Sequence, residues 1–310
     1  MPDASTPPAP LAGHSRFITA PDGLRLHVKI WDSETPAAAP ALVCLPGLTR
    51  TVADFEPLVA GLAAIGAAPR RIVALDSRGR GRSDRDRDAA NYTLATELAD
   101  LLAVLTTLDI GRAVFLGSSR GGLLTMLLAG ARPALVAGAI LNDIGPVIET
   151  AGLMRIKGYV GRLPQPRDLA EGVDILRRVF GAQFPDLSAD EWQAWTGRAW
   201  EERGGQWLPT YDPRLARTLD GIGPDRPAPA LWRQFEALGH VPVLVIRGER
   251  SDILSADTVA EMERRHPAVS TFIAENQGHT PILSDSASCQ EVGRFLETVQ
   301  RHMLSYSFNL

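Results

Sequence analysis

Residues 112–122, Arg-Ala-Val-Phe-Leu-Gly-Ser-Ser-Arg-Gly-Gly, limit the possible folds of this chain more than any other stretch. An apolar, β-prone run from Ala113 to Leu116 meets Gly117, and a helix-favouring run, Leu123-Leu124-Thr125-Met126-Leu127-Leu128, starts just past Gly122. A strand that turns at once into a helix has no room for side chains beside the bend. Gly117 and Gly121 therefore clear space around Ser119, which is left at the top of a strand and the start of a helix. Ser118 is only a neighbour, because Ser119 alone has glycine at both −2 and +2. An ordinary Gly-Ser turn would look the same locally, so the rest of the chain has to decide.

The spacing of apolar residues supplies an α/β framework. Continuous apolar runs at 41–45, 71–75, 136–141, 241–247 and 269–274 read as buried strands, and 24–31 alternates as a half-buried one. Between them, 51–65, 94–108 and the run after Ser119 have helical periodicity, and 286–302 closes the chain as an amphipathic helix. The alternation predicts a mostly parallel, doubly wound sheet with right-handed crossovers. It stops after Asn142-Asp143-Ile144-Gly145-Pro146. From about 147 to 239 the pattern is helical, broken at Pro164, Pro185 and Pro224, and holds five of the six tryptophans. We expect a helical lid at 145–239, a core of 16–144 and 240–310, and a disordered Pro/Ala-rich lead-in at 1–15. Core helices of a second domain are the plainer reading of the insert.

Composition excludes several function classes. In 310 residues with 45% apolar side chains and a net charge of −4, nothing favours nucleic acid or an anionic membrane as partner. No stretch has the length of a membrane span. The start of the chain lacks the basic and apolar segments of a signal peptide, so a cytoplasmic location is expected. Cys44 and Cys289 fit small buried hydrophobes better than a disulfide. No histidine pair has metal-ligand spacing backed by a second cluster, so no metal and no cofactor is expected. The Gly79/Gly81 segment lacks the ending of a phosphate loop and reads as a tight turn, with the alternating charges of 78–88 in solvent.

A serine hydroxyl needs a base to act as a nucleophile, and the base needs an orienting carboxylate. Candidates stand where strands end. The run 243–246 leads into Arg247-Gly248-Glu249-Arg250-Ser251-Asp252, and 269–274 leads into Gly278-His279. His279 is the candidate base, and the remaining histidines lack such a setting. Asp143, at the end of 136–141, competes with Asp252 as the acid.

These pieces, together with Asp76-Ser77-Arg78-Gly79-Arg80-Gly81-Arg82-Ser83, resemble an α/β-hydrolase-fold enzyme of the lid-bearing serine esterase or lactonase kind over roughly residues 25–302. The resemblance implies the triad Ser119, Asp252, His279, although some members of the fold take their acid from the position of Asp143. It also implies an oxyanion hole formed by the backbone N–H groups of Leu48 and Arg120. Pro46 replaces the family's usual histidine there, and with it a side chain that often braces the loop. Arg120 is an unusual residue beside a nucleophile. Either it pairs with a carboxylate such as Asp143 or Asp54, or it lies near the acyl site and favours a polar or acidic substrate.

The expected activity is hydrolysis of a carboxylic ester of a small, largely apolar substrate, with Trp192, Trp195 and Tyr159 lining the site. Lactonase, C–C bond hydrolase and perhydrolase activities share the triad, and a slow-turnover ligand receptor is an alternative of another class. The expected partner is a small molecule, and a homodimer is allowed.

Overall fold

The computed structural model describes residues 12–33, 39–67 and 70–307. In chain order, β1 (His14–Thr19), β2 (Arg25–Trp31) and β3 (Ala41–Leu45) lead through a 3-10 turn, Val52–Phe55, into α1 (Glu56–Ala64). Then come β4 (Ile72–Leu75), α2 (Leu94–Thr107), β5 (Ala113–Ser118), α3 (Arg120–Ala131) and β6 (Val136–Asn142). The segment between β6 and the next sheet strand holds α4 (Thr150–Tyr159), α5 (Leu169–Phe180), α6 (Ala189–Ala199), β7 (Trp200–Arg203), β8 (Gln206–Pro209) and α7 (Trp232–Glu236). The chain closes with β9 (Val243–Gly248), α8 (Ala256–Arg265), β10 (Val269–Ala274) and α9 (Ser286–Ser307).

One eight-stranded sheet runs in the order β1-β2-β4-β3-β5-β6-β9-β10. Only β1–β2 and β2–β4 pair antiparallel; every other neighbour is parallel. Strands β4, β5 and β6 are buried at every position, as strands covered on both faces by helices must be. Alternate side chains feed two cores, so Phe115 and Leu141 face one layer while Leu116 and Ile140 face the other. Cys44 and Cys289 are free and buried. No helix among the described residues is long and apolar enough to cross a membrane.

Three expectations need correction. Much of the 1–15 lead-in lies outside the described residues, but His14 and Ser15 already belong to β1 and pair with Ile30 and Lys29 of β2. The insert is not purely helical, because Gly204 and Gly205, both at positive φ, close a β7–β8 hairpin. Nor is the whole of 145–239 a separate layer. Phe180, Phe184, Trp192, Trp195 and Trp200 form their own aromatic cluster, whereas Leu215, Phe235 and Leu238 join the main core.

The segment from Arg78 to Asp88 also differs from the expected solvated loop. Arg78 and Arg80 are both 1% exposed. Arg78 makes a two-pronged contact with Asp100 of α2, at 2.7 Å on each arm, and reaches Asp86 and Asp22. Arg80 donates to Glu97 of α2 and to the Leu48 carbonyl. Glu97 takes a second guanidinium on its other oxygen, from Arg120 at 2.8 Å. Burial alone would raise the Glu97 pKa, but Arg80 and Arg120 outweigh it and hold the carboxyl below its usual range. Glu97→Ala should therefore cost about 3–5 kcal/mol in urea unfolding, because it strands two guanidiniums inside the protein. The lowered pKa means that Glu97's charge stabilises the fold above the ordinary carboxylate pKa. That contribution is lost as pH falls toward the folded-state value, so Glu97→Ala should also flatten this part of the acid-unfolding profile.

Candidate active site

The β5–α3 turn presents Ser119 at φ 49° and ψ −113°, a conformation that costs an L-residue energy and that the packing around it must enforce. The crowding accounts for the glycines. A Cβ on Gly117 would come within 2.4 Å of the Gly121 backbone, and one on Gly121 within 2.0 Å of the Leu45 carbonyl oxygen. Any larger side chain at either position would push α3 away from the sheet.

His279, on the loop after β10, reaches back across the sheet. Its Nε2 is 2.8 Å from Ser119 Oγ, and its Nδ1 is 2.7 Å from Asp143 Oδ2. An ionised carboxylate can only accept, so Nδ1 donates to Asp143, and Nε2 of the neutral ring accepts from the serine hydroxyl. Asp143 is wholly buried at the end of β6. Its Oδ1 accepts from Gly248 N–H at 2.8 Å, and its Oδ2 also accepts from Ser251 Oγ at 2.7 Å. The next residue back, Asn142, donates its amide to Ser118 Oγ and to the Pro281 carbonyl, which ties the elbow to the histidine loop.

The carboxylate on the imidazole is thus Asp143, not Asp252, and the expected Ser119, Asp252, His279 grouping is corrected at its acid. Asp252 is turned toward α4, where Arg155 holds it with two bonds of 2.6 and 2.9 Å. Burial opposes its ionisation, yet the Arg155 bonds, helped by Gln183 and His279, outweigh burial and lower its pKa. α4 lies so close to this loop that a Cβ on Gly152 would meet the Asp252 carbonyl at 2.2 Å. The post-β9 loop still serves the histidine, but it does so by bonding Asp143 through Ser251 and Gly248.

Leu48 lies on the loop after β3 and, with Ser119 and His279, lines a cavity. Its N–H has no partner among the described residues, and as the first residue of α3 Arg120 has an N–H outside the helix ladder. The Arg120 side chain leaves the pocket and pairs with Glu97, so the carboxylate partner is neither Asp143 nor Asp54. Where the family's bracing histidine would stand there is Pro46, and the loop is held from its other side by Arg80 on the Leu48 carbonyl, 2.8 Å away.

Tyr159 and Trp195 line the cavity with Phe180, Ile156 and Val160. Trp192 does not reach it. Trp192 stacks behind Trp195, with centroids 5.4 Å apart and planes 4° from parallel, and holds that ring in place. A second cavity opens beyond Tyr159 and Trp195 and adds Arg198, Asp54, Trp200 and Tyr211. Arg50, Arg198 and Ser251 also stand at these cavities and this hydrogen-bond path, with no motif to mark them in advance. Only Ser251, next to an expected acid, carried a signal. Among the described residues no three His, Cys, Asp or Glu side chains are grouped as a metal ion would require.

Comparison with known proteins settles the family. Residues 42–291 match the model of the alpha/beta hydrolase family. The chain belongs to the alpha/beta hydrolase family. The 3-hydroxybutyrate-oligomer hydrolase of Cupriavidus necator is 34% identical to this hydrolase, over 81% of this chain and 86% of that one. The 2-(acetamidomethylene)succinate hydrolase of Mesorhizobium japonicum is 26% identical over 78% of this chain and 82% of that one. The crystal structure of an alpha/beta hydrolase from Novosphingobium aromaticivorans superimposes with a TM-score of 0.84 at 38% identity, covering 92% of this chain and 98% of that one.

The two carboxylates of this hydrolase can be told apart directly. A Nδ1 proton shared with a buried carboxylate gives a low-field proton resonance. Asp143→Asn should abolish or move that signal, and Asp252→Asn should leave it in place. The reverse result would return the acid to Asp252.

Proposed function

We propose that this hydrolase cleaves a carboxylic ester of a small substrate through a covalent acyl-enzyme formed on Ser119. The observation that carries the reading is the continuous hydrogen-bonded path from Asp143 through His279 to a strained, pocket-facing Ser119. Ser119 Oγ attacks the carbonyl carbon as its proton passes to His279 Nε2, and Asp143 stabilises the resulting imidazolium. The N–H groups of Leu48 and Arg120 take the negative charge that develops on the carbonyl oxygen. His279 then gives its proton to the departing alkoxide, and afterwards takes one from the water that releases the acid.

The α4–α6 part of the insert is the lid in this reading, since Tyr159, Phe180 and Trp195 supply the apolar wall opposite Ser119. Similarity to a hydrolase of hydroxybutyrate oligomers supports an ester bond over an amide.

Ser119→Ala should lower kcat on activated short-chain esters by about 10⁴-fold or more with the fold intact by circular dichroism, and His279→Ala should do nearly the same. A fluorophosphonate should label the wild type at one serine and leave Ser119→Ala unlabelled. Wild-type turnover by Ser119→Ala would refute the assignment.

A further inference from the structure

We propose that Arg50 and Arg198 form a subsite for a carboxylate on the substrate, so that the preferred ester carries a free acid group. This rests on the ester-hydrolase reading above and extends it. The second cavity shares Thr49, Arg50, Tyr159, Phe180 and Trp195 with the Ser119 cavity, so one ligand can occupy both. Arg50 comes from the loop that carries Leu48, and Arg198 comes from the last turn of α6. Apart from the tyrosines, Arg50, Arg198 and Asp54 are the ionisable side chains lining this second cavity among the described residues.

Two guanidiniums therefore face one carboxylate. Arg50 Nη2 and Arg198 Nε lie 2.8 and 3.0 Å from the same oxygen, Asp54 Oδ1, while Asp54 Oδ2 accepts from the Thr51 N–H. Asp54 is the one carboxylate lining this cavity among the described residues, with Glu56 acting on Arg198 from outside the lining, so the cavity wall itself carries two positive groups and one negative. The two terminal amino groups of Arg198 have no hydrogen-bond acceptor among the described residues, although its side chain is only 15% exposed. Burial, joined by repulsion from Arg50, lowers the Arg198 pKa despite Asp54 and Glu56, as expected of a guanidinium crowded by a second one. Arg50 is held in position, with its guanidinium carbon 4.9 Å from the centroid of the Trp195 ring. A planar fork with spare N–H donors next to an aromatic wall is suited to a carboxylate. If the cluster only tied the insert to the core, a single pair would suffice, and burying the second guanidinium would be a net cost.

The test compares matched substrates that differ only in charge. One pair is the nitrophenyl half-ester of glutaric acid and its carboxamide, with the charge on the acyl side. The other is O-acetyl-β-hydroxybutyrate and its carboxamide, with the charge on the alcohol side. In at least one pair the wild type should prefer the acid, and Arg198→Gln should lower the acid-to-amide ratio of kcat/KM by about 10- to 100-fold, chiefly through KM. Arg198→Lys should retain part of the ratio, and Arg50→Gln should lower it as Arg198→Gln does. A purely structural tie would depress acid and amide alike, so an unchanged ratio in both arginine variants overturns the proposal. So does a wild type that shows no preference for the acid in either pair. Failure of the underlying reading looks different: fluorophosphonate would not label Ser119, and Ser119→Ala would hydrolyse both members of a pair at wild-type rates.

Discussion

The Glu97 carboxylate, at 1% exposure, is the point on which the geometry around Ser119 depends. One oxygen holds Arg80, whose Nε in turn holds the carbonyl of Leu48; the other holds Arg120, the residue after Ser119. A single buried anion thus braces both the loop that carries Leu48 and the start of α3 beside Ser119. It also explains two residues unusual for the family. Pro46 can replace a bracing histidine because Arg80 takes over from below, and Arg120 can follow the serine because its charge is absorbed by α2. Arg78 repeats the arrangement one layer further out on Asp100. The glycine-rich segment after β4 is therefore a fixed arm that carries charge into the protein.

That brace lets the structure sustain strain elsewhere. Ser119 and Asp143 both sit at positive φ, 49° and 53°, at the ends of adjacent strands β5 and β6. Each is pinned on several sides: Ser119 by glycine-lined contacts with the sheet, and Asp143 by Gly248, Ser251 and His279. Two strained residues facing one imidazole have little freedom to drift, so the three side chains are held in one arrangement.

The strands of the parallel core were legible because buried strands are written as continuous apolar runs. Residues 41–45 match β3 end for end, and 269–274 match the bounds of β10, although β10 is an edge strand with only Ala274 buried and not the buried strand expected. β1 escaped because it is an edge strand with only Ile18 buried, and so carries no apolar pattern. The β7–β8 hairpin was hidden by Glu201, Glu202 and Arg203, which face solvent, although Gly204-Gly205 was a usable turn signal. At the site, Ser119 and His279 were readable from local sequence, since each depends on glycines next to it. The acid was not. Asp143 and Asp252 both follow buried strands, and the choice between them turns on where α4 places Arg155, a long-range fact of packing. The same limit concealed Arg78, Arg80 and Arg198, whose partners are 22, 17 and 144 residues away.

A hydrogen-bonded serine, histidine and aspartate do not by themselves make a site, and this protein holds its own control. His27 places Nδ1 2.7 Å from Asp76 Oδ2 and Nε2 2.9 Å from Ser15 Oγ, almost the spacings seen at His279. Yet Ser15 lies on edge strand β1, in regular antiparallel pairing, and Arg82 already donates to its hydroxyl at 2.8 Å. Asp76 is occupied in capping the N–H groups of Val52 and Arg82. That trio fastens the outer sheet strands to the arm after β4. What sets Ser119 apart is its setting: a strained turn at a helix start, opening on a cavity walled on one side by Tyr159, Phe180 and Trp195.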